Sequence, residues 1–301
     1  MRKTFGAAWV AAVLFCGPAV AGPPAVVVSL KPLHSLVAMV MDGVAVPALL
    51  LPGASSPHSY TLRPSDARLI VAAGLVVWGG PQLESFLEKP IQAVAGNARV
   101  LTLLTGPGLQ LLPVREAGVE EHDGHHHEGT DPHFWLDPTN GARVLRLVAE
   151  TLAGIDPTNA GRYWANAETN AAALLALDRE LAGEMEPVRE RPFLALHDAL
   201  QYFEARYGLR SAGTLTLSIE RVPGARTIAA VREQIVQADV PCVVGEQQFP
   251  PALANTITQG TSARFLVIDI LGMGLPEGAD AYPSMLRRLA KDLKACLSKG
   301  T

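Results

Sequence analysis

Beyond its first two dozen residues the chain lacks any run of about 20 uninterrupted apolar residues, so no later segment reads as a membrane-spanning helix. It has no clustered Lys/Arg stripe, and with a net charge of −4 nothing marks a nucleic-acid surface. Aromatic residues are only 6% of the chain, which argues against a platform for stacking bases or sugars. Cysteine is scarce, with three in 301 residues. What is present is an ordinary soluble composition, 49% hydrophobic and 18% charged. That length allows one large domain or two lobes of about 130 residues each.

The first residues read as a targeting segment. Arg2 and Lys3 precede a short apolar stretch, Phe5 to Cys16, and Ala19-Val20-Ala21 supplies an A-x-A cleavage site. Residues 1–21 are therefore expected to be a cleaved signal peptide. Cys16 follows Phe15, where lipid attachment needs a small residue, so it reads as apolar filler lost with the leader. Cys242 and Cys296 remain. In an oxidising compartment such a pair favours a disulfide over a zinc pair, which wants closer spacing. Two unrelated buried thiols are the alternative.

Short apolar runs alternate with stretches of helical periodicity. One set of strand candidates is Val26 to Leu30, Ala45 to Leu51, Leu75 to Trp78 and Arg99 to Leu101. A second set is Phe193 to Leu196, Ser211 to Leu215, Val243 to Gly245 and Phe265 to Ile268. The alternation predicts an α/β protein of two lobes, each a parallel sheet flanked by helices. The runs are continuous, as strands buried on both faces should be. Between the sets, Asp156-Pro157 opens a helical stretch from about Thr158 to Glu186, and Ala165 to Leu181 contains no Gly or Pro. Such a helix is about 43 Å long at 1.5 Å per residue, a rigid connector between lobes. The expected division is thus a leader at 1–21, an N-terminal lobe at 22–156, a connecting helix at 157–187 and a C-terminal lobe at 188–301. A polar segment, Glu120 to Glu128, has no apolar periodicity and reads as a disordered loop at about 119–129.

The eight histidines are unevenly placed. His122, His125, His126 and His127 sit in the polar loop, and His34 follows the first strand. His58 lies among turn residues after the second strand, where open α/β sheets put their ligands. A solvated loop histidine is the plain alternative. His133 sits in Asp131-Pro132-His133-Phe134-Trp135-Leu136-Asp137-Pro138, a compact turn in which a core-satisfied imidazole is equally reasonable. His197 follows the strand Phe193 to Leu196, and Asp269 holds the same place after Phe265 to Ile268. Ionisable groups at the exit of a buried strand cost several kcal/mol unless paired. For Asp269 a helix cap is the alternative, although Leu271-Gly272 is no helix start. Three imidazoles and one carboxylate make a sensible tetrahedral set for Zn²⁺, with two residues from each lobe.

The chain resembles the zinc-specific periplasmic binding proteins of ABC importers, within the metal-binding solute-receptor cluster. The likeness runs over most of the chain beyond the leader. It rests on Ser29 to Leu36, the segment around His58 with Leu62-Arg63-Pro64-Ser65-Asp66, and Val77-Trp78-Gly79-Gly80. Asp131 to Pro138, His197 to Phe203 and Val267 to Gly272 continue it. The resemblance implies two α/β lobes joined by a long helix, with metal between them. It assigns His58, His133 and His197 as ligands, makes Asp269 the fourth group, and supports a Cys242–Cys296 disulfide. It implies a periplasmic monomer that binds Zn²⁺ as cargo and delivers it to a membrane permease, with a periplasmic zinc chaperone as a further candidate partner. The histidine-rich loop, common in zinc-binding members, is expected to be a weak zinc trap. Two departures stand out: Pro57 replaces the acidic residue that precedes the first ligand in some members, and Ile270 replaces the usual proline after the aspartate.

Two other functions compete. Manganese-binding receptors of the same cluster look similar but tend to offer a carboxylate where this chain has His197. A secreted zinc hydrolase would suit three ligands and an open fourth position, but the chain has no H-E-x-x-H pattern and no Glu adjoining a ligand. No enzyme activity is expected.

Overall fold

The computed structural model describes residues 22–51, 56–58, 60–94, 96–115, 129–216 and 224–298. The expected signal peptide, the four loop histidines and the rest of the polar loop lie outside the described residues. The valine-rich runs form short parallel strands: β1 (Val26–Val28), β2 (Ala48–Leu49), β3 (Leu75–Trp78) and β4 (Arg99–Thr102), in the order β2-β1-β3-β4. Helices α1 (Lys31–Met41), α2 (Pro64–Ala72) and α3 (Glu88–Val94) connect them. A second parallel sheet repeats this order as β6-β5-β7-β8, built from β5 (Phe193–His197), β6 (Ser211–Thr216), β7 (Cys242–Glu246) and β8 (Arg264–Ile268). Its helices are α6 (Gln201–Tyr207), α7 (Ala225–Gln237) and α8 (Pro251–Thr258), and α9 (Ala281–Leu297) follows the last strand. β1, β3, β5 and β7 are buried along their whole length, and β4 and β8 at the edges are not. This is why the central runs read as continuous apolar stretches.

Two helices join the sheets, α4 (Pro138–Ile155) and α5 (Ala160–Met185). Asp137 caps α4 by accepting from the amide of Thr139 at 2.7 Å, with Pro138 at the first helical position. Short 3₁₀ turns at Pro157–Asn159 and Glu186–Val188 extend α5, which matches the expected connector closely. Its buried face includes Tyr163, Ala167, Ala171, Leu174, Asp178, Leu181 and Met185, spaced three and four residues apart, with Leu177 beside them. That face packs on α1, α4 and α9. One apolar core therefore runs from the first sheet through α5 into the second, and a smaller cluster around Leu194, Leu196, Val231 and Ile257 fills the far side of the second sheet.

The lobes are also tied directly. Trp135 Nε1 donates to the carbonyl of Ile270 at 2.9 Å, and Tyr282 Oη donates to the carbonyl of Trp135 at 2.7 Å. Lys31 Nζ donates to the carbonyl of Leu275 at 2.9 Å. Cys242 and Cys296 form a disulfide, Cα–Cα 5.7 Å, that joins the start of β7 to α9. Among the described residues no helix is long and apolar enough to cross a membrane.

Candidate metal centre

Three histidines from separate segments converge between the sheets. His58 ends a short turn in which its backbone amide donates to Ser56 Oγ at 3.2 Å. His133 directly precedes a 3₁₀ turn, Phe134–Leu136, whose three side chains are fully buried. His197 is the last residue of β5. Ring centroids lie 5.9 Å apart for His58–His133, 5.7 Å for His58–His197 and 5.0 Å for His133–His197. One nitrogen from each ring can be chosen so that all three lie within 4.8 Å of one another, a triangle that a single ion can span. Pro57, Trp135, Glu246 and Ile270 close a small cleft around them.

Buried carboxylates orient two of the rings. Asp131 Oδ1 accepts from both the backbone amide and Nδ1 of His133, at 2.9 and 2.8 Å. Glu246 Oε1 stands 2.7 Å from His197 Nδ1. With Nδ1–H engaged in this way, each ring is left with the Nε2 lone pair for a metal. Among the described residues His58 has no carboxylate against its ring. Burial, then the neighbouring His133 and His197, bring its pKa down to about 3, so the imidazole is neutral at physiological pH. Burial also works against charge on His197, but the Glu246 carboxylate outweighs it and raises that pKa. Glu246 is held below its ordinary value in return: burial opposes ionisation, and the charge on His197 prevails.

Asp269 does not join this group. Its Oδ1 accepts from the amides of Leu271 and Met273, at 3.3 and 2.9 Å, and its Oδ2 from Gly274 at 3.0 Å. The carboxylate thus shapes the turn after β8, close to the capping alternative, and lines a neighbouring hollow with Gln248 and Met273. Asp198, next to His197 in the chain, pairs with Arg115, which also reaches Glu204 at 2.5 Å.

With this geometry in place, comparison with known proteins is decisive. The model of the family described as ZnuA, zinc-uptake complex component A, periplasmic, matches residues 26–296. The chain belongs to the ZnuA family. The high-affinity zinc uptake system protein ZnuA of Brucella suis biovar 1 is 43% identical, over 95% of this chain and 95% of its own length. Its counterpart from Yersinia pestis is 33% identical over the same shares. A crystal structure of ZnuA superimposes with a TM-score of 0.79 at 25% identity, covering 92% of this chain and 100% of the other.

Glu246 escaped the sequence reading. The expected strand Val243 to Gly245 ends one residue short of it, whereas β7 includes it as its last residue. A polar residue at the exit of the apolar run Cys242 to Gly245 was the available signal.

Proposed function

We propose that this chain is a periplasmic receptor that binds Zn²⁺ through His58, His133 and His197 and delivers it to the membrane permease of an ABC importer. The convergence of three imidazoles, two of them buried and held by carboxylates, carries this reading. Nitrogen ligands and a low coordination number suit Zn²⁺, whereas Mn²⁺ prefers carboxylate oxygen and more ligands. The amides around Asp269 favour water over that carboxylate in the fourth position. A receptor role rather than catalysis fits the engagement of Asp131 and Glu246 by imidazoles, which leaves neither facing a water as a general base. Residues 1–21 act in this reading as a leader that directs the protein to the periplasm, where it works as a monomer. His122, His125, His126 and His127 form a separate weak zinc trap on the loop.

Zinc titration of metal-free protein in competition with a chelator tests this. One tight equivalent is expected, and replacing His58, His133 or His197 by Ala weakens it at least about 100-fold, the upper end of what an outer partner costs. Deleting residues 119–128 removes only weak equivalents. Loss of the tight site in that deletion, or its survival in all three Ala variants, refutes the ligand set.

A further inference from the structure

A bound zinc ion brings two positive charges into the interior, and three neutral imidazoles cancel neither. An uncompensated charge there is costly, so the surroundings must supply the balance. Glu246 is placed to do so. It is the last residue of β7, as His197 is of β5, and these two strands pair side by side in parallel. In the sheet order β6-β5-β7-β8 successive strands are added to opposite sides of β5, so the strand order reverses between β5 and β7 and leaves a crevice at their carboxyl ends where such sheets bind ligands. Glu246 is only 6% exposed and lines the same cleft as the three rings. Its Oε1 lies 2.7 Å from His197 Nδ1. On the other side of the cleft, Asp131 does the same for His133.

We propose that Glu246 is a positioning residue for metal capture. It holds His197 with Nε2 turned into the cleft, and with Asp131 it balances the charge of the dication without taking a coordination position. The inference rests on the zinc-binding reading above and adds to it how the site is oriented and neutralised.

The test uses the whole chain without its leader, in metal-free form. Glu246→Gln keeps the size of the side chain and an acceptor oxygen but removes the charge. Chelator competition should show Zn²⁺ bound about 10- to 100-fold more weakly. The absorption bands of the Co²⁺-loaded variant should match wild type, because the coordinating atoms are the same. Nitrogen-correlated NMR of the metal-free wild type should show a hydrogen-bonded Nδ1–H on His197, displaced in the variant. Wild-type zinc affinity in Glu246→Gln overturns the proposal. So do altered Co²⁺ bands, which would make Glu246 a ligand. If the wild-type protein takes up no zinc, the receptor reading falls, while the His197 ring resonance still decides whether Glu246 holds it. That NMR measurement needs no variant, so the proposal stays open to refutation even where Glu246→Gln fails to fold.

Discussion

Glu246 is the last residue of β7 and Glu84 follows the end of β3, the strand in the same place of the other sheet's order, and both are buried, yet they behave oppositely. Glu84 Oε2 accepts from the amides of Gly79 and Gly80, at 2.7 and 3.2 Å, and the Ser29 side chain also favours its charged form. Burial outweighs those bonds and pushes its carboxyl up to about 7. Glu246 faces imidazoles, chiefly His197, and its pKa is held below the ordinary value. A buried carboxyl near the corresponding strand end is thus a half-neutral structural acid in one lobe and a charged cleft residue in the other. What decides between them is the presence of His197 at the neighbouring strand end and not burial, which acts alike on both.

The comparison can be broken most forcefully at the base of β7. That strand is pinned at its start by the Cys242–Cys296 disulfide, which closes a loop spanning 54 positions. Among the described residues β3 has no such tie. Replacing both cysteines by Ser should lower stability by about 4 kcal/mol in the chain-entropy model. Denaturant titration under non-reducing conditions measures this. Zinc binding should survive where the fold does, because His197 and Glu246 lie at the opposite end of their strands.

Glu84 gives the next largest effect. Its folded pKa of about 7 exceeds its ordinary 4.5, so the folded state keeps a proton that the unfolded chain has lost. The resulting stability is fully present below pH 4.5 and disappears as pH rises through about 7. Across that window it amounts to about 3 kcal/mol, at roughly 1.4 kcal/mol for each pH unit. Glu84→Gln, which keeps an acceptor for the two glycine amides, should flatten this part of the curve for metal-free protein. An unchanged pH dependence in the variant would mean that another group carries it.

Most of the architecture was legible because strands buried on both faces must be apolar throughout. The expected runs at Leu75–Trp78 and Phe193–Leu196 coincide with β3 and the body of β5. The connector was legible because Asp156-Pro157 and the Gly- and Pro-free stretch after it leave little but helix. The apolar run Ala45 to Leu51 is longer than the strand within it, since only Ala48–Leu49 pairs with β1. Periodicity could not show that α9, late in the chain, packs on α1 and α5 as well as on β8, because an apolar stripe does not say which surface covers it. Turn residues and a strand exit drew attention to His58, His133 and His197, but a solvated or core-satisfied imidazole stayed open for the first two, and the family resemblance was needed to group the three that the fold brings together. Asp269 obeyed the same local rule, but where its carboxylate points is set by the amides of Leu271, Met273 and Gly274 after folding.

His197 links the metal choice to the two-lobe comparison, since it is the group that Glu84 lacks. His197→Glu would place a second carboxylate beside Glu246 and leave two imidazoles, a set closer to what Mn²⁺ favours. Zn²⁺ stays above Mn²⁺ in the general affinity order, so the quantity to measure is the ratio of the two dissociation constants at one pH in one buffer. That ratio should move toward Mn²⁺ by at least about tenfold, or roughly 1.4 kcal/mol. An unchanged ratio with both affinities intact would mean that His197 does not touch the ion.

The smallest effect on zinc is expected at Asp269, which separates the two strand-exit carboxylates of the second lobe. Glu246 points at an imidazole, and Asp269 points at three backbone amides. In Asp269→Asn the retained oxygen can still accept from Leu271 and Met273, while the new amide group faces the N–H of Gly274 and loses that bond. Hydrogen bonds to a charged group contribute about 1.5–3 kcal/mol each, so the turn after β8 should weaken by roughly that amount. With water in the fourth coordination position, zinc affinity should change by less than about threefold, under 1 kcal/mol. Thermal melting of metal-free protein and zinc competition read the two effects separately. A tenfold loss of zinc affinity with unchanged melting would instead put the Asp269 carboxylate on the ion and displace the water.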